Sequence, residues 1–242
     1  MHVRLGGSES STLPPVVLVH GQVVSSRYME PLAERLAART RVFVPDLPGF
    51  GKSAKPRETY DVPRLADALL GVLDACALDR PVLVGNSMGC QIAAELAAAH
   101  PERVSQLVLQ GPTVDRHAQS GITQFVRWLR AGRFERPSLA WVLALDYVAA
   151  GARRTVQTYR ALLNHRIERL LPRISVPTLV VRGNRDPIVP ESWAQEVTSL
   201  LPEGSLVVIP GGGHTLSYSA PLELSRVVLA FMNGAPGAEQ RR

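Results

Sequence analysis

A serine, a carboxylate and a histidine, met in that order along the chain as Ser87, Asp186 and His214, are the residues whose settings could support nucleophilic chemistry. Ser87 is the centre of Gly85-Asn86-Ser87-Met88-Gly89, and the sequence changes character there. Val82, Leu83 and Val84 before it form a short apolar run with a β-branched bias, and residues 90–99 after it form an alanine-rich helical run. A strand that becomes a helix without a loop strains its central residue and crowds the positions two before and two after it, where only small residues fit. In that setting G-x-S-x-G lifts a hydroxyl above the strand's carboxyl end and leaves the next backbone N–H free at a helix N-terminus, a ready oxyanion donor. Without its flanks the same pentapeptide reads as an N-cap serine between two turn glycines.

A serine hydroxyl is a weak nucleophile until a base takes its proton, and that base needs an acceptor that fixes its tautomer. Among six histidines, His214 follows the last apolar strand run and the glycines Gly211, Gly212 and Gly213, which allow its loop to approach the Ser87 turn. His2 and His100 have no such setting, and His117 and His165 lie in a helical segment. Asp186, after a strand run in Gly183-Asn184-Arg185-Asp186-Pro187, is the acceptor expected for His214; otherwise it is a plain turn aspartate, and Asp115 is the rival acid. His20 ends a buried strand run and is expected to brace its loop, while the N–H groups of Gln22 and Met88 are the expected oxyanion hole. Gln22, Phe125, Trp128, Trp141 and Tyr147 are the candidates for contact with substrate. Gly51-Lys52-Ser53 resembles the end of a phosphate loop, but position 46, where that motif needs glycine, holds Asp46. No metal-ligand pattern or cofactor fingerprint is present, so neither metal nor cofactor is expected.

The elements that must hold these residues follow from the apolar patterning. Near-continuous apolar runs at 15–19, 41–46, 81–85, 103–109, 177–183 and 205–210, with a short one near 3–5, are expected strands of a parallel sheet covered on both faces. Helical stripes are expected at 25–38, 61–78 with Asp61 as N-cap, 88–100, through Trp193, Val197 and Leu200, and at 219–232. Strand and helix alternating at this spacing imply right-handed crossovers and a doubly wound α/β architecture. Residues 113–176 carry no convincing strand and hold six of the chain's thirteen aromatics, so they are expected to be an all-helical insertion above the strands' carboxyl ends. The expected division is a core of 1–112 and 177–233, the insertion at 113–176, and a frayed tail at 234–242.

The chain's 242 residues suffice for one domain with a modest insertion. The net charge of +6 is concentrated between Pro112 and Pro177, where eleven arginines face four acids. A solvated helix face or an anionic ligand both account for that excess. Cys76 and Cys90 read as small buried residues. No apolar segment is long enough to span a bilayer and no signal-peptide core is present, so a cytoplasmic location without membrane association is expected. The expected partner is a small-molecule substrate, mainly apolar with room for an anionic group; an acyl-carrier protein is a further candidate, and no nucleic acid is expected.

Leu18-Val19-His20-Gly21, Pro45-Asp46-Leu47-Pro48-Gly49-Phe50-Gly51-Lys52-Ser53, Gly85-Asn86-Ser87-Met88-Gly89, Gly183-Asn184-Arg185-Asp186 and Gly212-Gly213-His214 together resemble the α/β-hydrolase superfamily, over residues 14 to about 232. The resemblance implies an α/β-hydrolase fold with a helical cap inserted after the sixth strand, and a Ser87-Asp186-His214 triad. Asn86-Ser87-Met88 and His100-Pro101-Glu102-Arg103-Val104 resemble the meta-cleavage product hydrolases and related esterases. Those enzymes carry a glycine-rich oxyanion stretch where this chain has Gln22-Val23-Val24, and a tryptophan where it has Thr215. The implied activity is a serine hydrolase cleaving an ester, thioester or lactone-type carbonyl through an acyl-enzyme on Ser87. Carbon–carbon bond hydrolysis, non-hydrolytic cyclase or lyase chemistry, and small-ligand binding on the same fold are the alternatives.

Overall fold

A computed structural model of the chain describes residues 1–234. Beyond Gly234 the expected tail lies outside the described residues. Seven strands form one sheet: β1 (Val3–Gly6), β2 (Val16–Val19), β3 (Val42–Pro45), β4 (Val82–Asn86), β5 (Gln106–Gln110), β6 (Thr178–Gly183) and β7 (Gly204–Ile209). Their spatial order is β1-β3-β2-β4-β5-β6-β7, and every neighbouring pair is parallel except β1 against β3. The helices are α1 (Glu30–Ala37), α2 (Val62–Ala75), α3 (Met88–Ala99), α4 (Gly121–Ala131), α5 (Pro137–Ala150), α6 (Ala152–Asn164), α7 (Glu191–Leu200), α8 (Leu216–Ser219) and α9 (Pro221–Met232). Among the described residues no helix is long and apolar enough to cross a membrane.

The central strands β2 and β3, and β4 as far as Asn86, are apolar and buried along their length because both faces are covered. Val17 and Val19 of β2 point into one core with Leu65 and Leu69 of α2, Ile92 and Ala93 of α3, and Trp193 and Val197 of α7. Val16 and Leu18, one residue out of step, point into the other with Leu32 and Leu36 of α1, Leu216 of α8, and Leu224 and Val228 of α9. Asp61 caps α2, accepting the Arg64 N–H at 3.1 Å. The run expected as a strand from residue 103 begins at Gln106, because Pro101–Arg103 closes a 3-10 turn first. The last helix is split in two at Ala220, whose φ of −135° reflects the helix-breaking effect of the proline that follows.

Helices α4, α5 and α6 occupy the connection between β5 and β6. The insertion was expected after a sixth strand; in this chain it follows the fifth, because only one strand, the antiparallel β1, precedes β2.

At the β4–α3 junction the two glycines are fixed by contact. A Cβ on Gly85 would meet the Gly89 carbonyl, and one on Gly89 would meet the Val19 carbonyl, closer than any real side-chain contact in both cases. The obstacles are backbone and cannot rotate away. Gly89→Ala is therefore expected to lower stability by about 3 kcal/mol through overpacking, seen as a reduced urea midpoint at unchanged m-value.

Candidate active site

Ser87 stands between β4 and α3 with φ 54° and ψ −118°, a left-handed backbone rare for a side chain other than glycine. Such a conformation costs about 1–3 kcal/mol and persists only where its surroundings enforce it. Here the Ser87 N–H donates to the Gln110 carbonyl at 3.1 Å, and its own carbonyl accepts the Cys90 N–H at 2.9 Å. Although Ser87 occupies the N-cap position of α3, its side chain makes no capping hydrogen bond. The simpler reading of Ser87 as a capping side chain thus fails. Met88 opens α3, so its N–H is among those a helix leaves without an internal partner.

His214 and Asp186 meet across 28 residues, with His214 Nδ1 2.7 Å from Asp186 Oδ2. Both side chains are buried. The other oxygen of Asp186 accepts the N–H groups of Ile188 at 2.8 Å and Val189 at 3.2 Å, so the turn role and the histidine-orienting role coexist on one carboxylate. The rival, Asp115, is occupied by Arg127 Nη1 at 2.9 Å and the His117 N–H at 2.9 Å. On the far side of the ring, His214 Nε2 is buried and has no hydrogen-bond partner among the described residues. Ser87 and His214 line the same cavity, of ≈ 380 Å³.

The glycine that admits this pair is not one of the three before His214. A Cβ on Gly111, at φ +63°, would lie 3.0 Å from His214 Cε1 and 3.5 Å from Asp186 Oδ2, so residue 111 forms the floor beneath both side chains. Gly212 packs against Leu216 and Gly183, and Gly213 against Glu135 and Phe134 of the insertion rather than against the Ser87 turn.

His20 braces its loop: Nδ1 donates to the Gly21 carbonyl at 2.9 Å, Nε2 accepts the Leu47 N–H at 3.0 Å, and the ring stands edge-on to Phe50. Complete burial lowers its pKa below the ordinary histidine value, consistent with a fixed neutral tautomer. A chain of buried hydrogen bonds then joins the loops around the site. Gly21 N–H donates to the Tyr28 hydroxyl at 3.0 Å, which donates to Asn86 Oδ1 at 2.5 Å. Asn86 Nδ2 donates to Gln110 Oε1 at 2.6 Å, and Gln110 Nε2 to the His214 carbonyl at 2.7 Å. Tyr28 falls within the helical stripe expected at 25–38, and nothing in the sequence assigns Tyr28 or Gln110 a place in such a chain. The available signal is a glutamine directly after the apolar run Leu107-Val108-Leu109, since a buried amide must find partners.

Of the candidates for substrate contact, Gln22, Phe125, Trp128 and Tyr147 line the cavity, and Phe125 stacks on Trp128 with ring centroids 5.9 Å apart. Burial pushes the Tyr147 hydroxyl up to about 12. Trp141 does not line it. Leu143 and Tyr147 turn toward the cavity one helical turn apart, and Trp141 falls on another face of α5, 69 % exposed. Helix α5 is apolar on every side, so its pattern could not distinguish those faces. Cys76 and Cys90 are free, and Cys90 is buried with Sγ 3.2 Å from the Gly85 carbonyl. Among the described residues no three His, Cys, Asp or Glu side chains are placed to hold a metal ion.

A family model described as the alpha/beta hydrolase family matches residues 16–227. Among curated relatives, the 2-hydroxy-6-oxo-6-(2'-aminophenyl)hexa-2,4-dienoic acid hydrolase of Metapseudomonas resinovorans is 28% identical, the match covering 96% of this chain and 90% of that protein. Of solved structures, a membrane phospholipase A, a bacterial virulence factor, superposes with TM-score 0.80 at 28% identity, over 96% of this chain and 82% of that one. Est816, an N-acyl homoserine lactone degrading enzyme, superposes with TM-score 0.77 at 25% identity, over 95% and 96%.

Burial of His214 disfavours its charged form, but the charge and hydrogen bond of Asp186, with a smaller contribution from Glu135, outweigh that effect and hold its pKa above the ordinary 6.5. A neutral amide at position 186 keeps the shape and removes the charge, so Asp186→Asn is expected to bring the imidazole's titration below its wild-type position. Following the His214 ring protons by NMR against pH tests this; coincident titration curves would refute it.

Proposed function

The chain belongs to the α/β hydrolase family, and from that premise we propose that it is a serine hydrolase acting on an ester, thioester or lactone-type carbonyl. In this reading Ser87 Oγ attacks the carbonyl carbon while His214 Nε2 takes its proton. Asp186 fixes the imidazole with Nε2 as the acceptor and favours the imidazolium that forms. The negative charge that develops on the carbonyl oxygen meets the N–H groups of Gln22 and Met88. His214 then gives the proton to the departing alcohol, thiol or, in a lactone, the ring oxygen. In the second half water takes the place of the leaving group: His214 accepts its proton, its oxygen bonds the acyl carbon, and Ser87 regains its hydrogen as the acid departs.

The observation that carries this reading is the unpartnered, buried Nε2 of His214, on a residue that shares its cavity with a serine hydroxyl not used for capping. A base held on one side by a carboxylate and left open on the other is built to receive a proton there. The aromatic wall of Phe125, Trp128 and Tyr147 favours an apolar acyl group in a small-molecule substrate. The resemblance to an N-acyl homoserine lactone degrading enzyme supports a lactone-type carbonyl. A second reading, carbon–carbon hydrolysis of an enol-keto acid, draws support from the 28% identical dienoic acid hydrolase and from Arg160, which lines the cavity and could meet a carboxylate there.

A fluorophosphonate probe is expected to label wild-type protein and to fail with Ser87→Ala and His214→Ala. Turnover of p-nitrophenyl butyrate should fall by roughly 10³-fold or more in either variant. A binding protein would instead keep its ligand affinity in Ser87→Ala. Folded wild type that neither labels nor hydrolyses esters, lactones or an enol-keto acid refutes the enzymatic reading.

A further inference from the structure

Two contacts between the helical insertion and the loops of the sheet are unused in that mechanism, and both fall beside its reacting groups. Glu135, in the turn between α4 and α5, accepts the Thr215 N–H through Oε1 at 2.8 Å, and its Oε2 accepts the Thr215 hydroxyl. A Cβ on Gly213 would stand 2.6 Å from that same Oε1 and 3.0 Å from the Phe134 carbonyl oxygen. The carboxylate therefore lies over both chain neighbours of His214, and only glycine at 213 leaves it room. Near the other end of α5, buried Asp146 accepts the Ser25 N–H at 2.9 Å and the Ser25 hydroxyl at 2.8 Å, both through Oδ2. Ser25 is three residues beyond Gln22. The segment that crosses the cavity thus ends in a carboxylate on the base loop and a carboxylate on the oxyanion loop.

We propose that Glu135 is a positioning residue for His214 and Asp146 its counterpart for the Gln22 loop, so that seating the insertion over the cavity and aligning the two catalytic loops are one event. The proposal rests on the reading of His214 as base and of the Gln22 N–H as oxyanion donor. Each carboxylate takes a backbone N–H and a hydroxyl from one residue, a charge-assisted pair of bonds that fixes direction as well as distance. Neither carboxylate touches the reacting atoms. Both act through a neighbour in the chain, where a small displacement of the base or the donor carries a large kinetic penalty. The position that carries tryptophan in the meta-cleavage product hydrolases is here Thr215, whose hydroxyl and N–H face the insertion.

The charge of Glu135 offers a readout that a purely structural contact would lack. Among the described residues, the carboxyl groups whose charge acts on the His214 ring are those of Asp186, from the loop after β6, and Glu135, from the insertion. Removing the Glu135 charge while keeping an acceptor must lower the imidazole's pKa, which leaves the base unprotonated to lower pH. In Glu135→Gln the acid limb of kcat/KM for p-nitrophenyl butyrate is therefore expected to move down by roughly half a pH unit. Glu135→Ala, which loses charge and acceptor together, should lower kcat by about tenfold with KM within about twofold of wild type. Asp146→Ala should lower kcat likewise but leave the acid limb in place, and Asp146→Asn, which keeps the acceptor, should recover most of the loss.

Unfolding of each variant is followed by circular dichroism. If Glu135→Ala fails to fold, Thr215→Val, which deletes only the hydroxyl bond, is measured in its place, with a drop in kcat of about threefold expected. Wild-type kcat in the folded variants, or a loss confined to KM with the acid limb of Glu135→Gln superimposed on wild type, overturns the proposal. Wild type that neither labels with fluorophosphonate nor turns over ester overturns the reading of Ser87 and His214, and the proposal with it; labelled, active wild type beside unaffected variants overturns the positioning role alone.

Discussion

Backbone packed directly on backbone at the β4–α3 junction sets the terms for the rest of the molecule. Because Gly89 lies against the Val19 carbonyl and Gly85 against the Gly89 carbonyl, the helix starts within one residue of the strand and over the end of β2. No relaxed conformation of Ser87 is compatible with that approach, so the strain is imposed by the packing of α3 on the sheet rather than by the serine. The large buried core on that face supplies the stabilisation that offsets it: Val17, Val19, Ile92, Ala93 and Leu96 are all within 1 % of complete burial. A less tightly covered sheet would let the turn relax and lower the hydroxyl.

Asp186 and His214, whose paired side chains stand at the cavity that Ser87 lines, arrive on loops from distant parts of the chain. Parallel strands make that possible, since β2, β4, β5 and β6 all deliver their carboxyl ends to one edge. The hydrogen bonds from Gly21 through Tyr28, Asn86 and Gln110 to the His214 carbonyl then tie the loop after β2, the β4–α3 turn, the end of β5 and the loop after β7 together. Each member is buried, and each hydrogen bond takes up polar atoms that would otherwise be costly to bury. Such a chain holds the loops in a single register, which apolar contact does not do.

This division explains what the sequence made legible. Strands, helices and the order Ser87, Asp186, His214 follow from local rules: apolar runs, capping residues, glycines where space is short. Links between loops do not, because Tyr28 and Asn86 are 58 residues apart and nothing local marks them as partners. Glu135 was one acid in an arginine-rich stretch. The three glycines before His214 signalled a crowded loop, yet the crowding comes from Gly183, Leu216 and the insertion, and the space under the imidazole is provided by Gly111 on another loop. Trp141 was misplaced for a different reason. Periodicity identifies a buried face only when the opposite face is polar, and α5 has no polar face.

The attachment of the insertion follows from the same observation. Helix α5 buries Leu139 and Asp146, and α4 buries Gln124 and Ala131, while Ile122, Trp141 and Val148 remain exposed at 79 %, 69 % and 82 %. Leu139, Val142 and Leu143 of α5 pack against one core and Tyr147 and Ala150 against the other, with Ala131 from α4, but such nondirectional burial cannot by itself fix the orientation of these helices. Directional contacts set it instead. Glu135 bonds Thr215, Asp146 bonds Ser25, Lys55 Nζ donates to the Ala149 carbonyl at 2.8 Å, and from the following α6 Arg154 donates to the Pro56 carbonyl at 2.6 Å. The insertion depends on these directional bonds, beside its apolar contacts, for the orientation of the aromatic wall over the cavity that Ser87 lines. The geometry of the cavity is thus set jointly by a rigid sheet below and by a few polar bonds above.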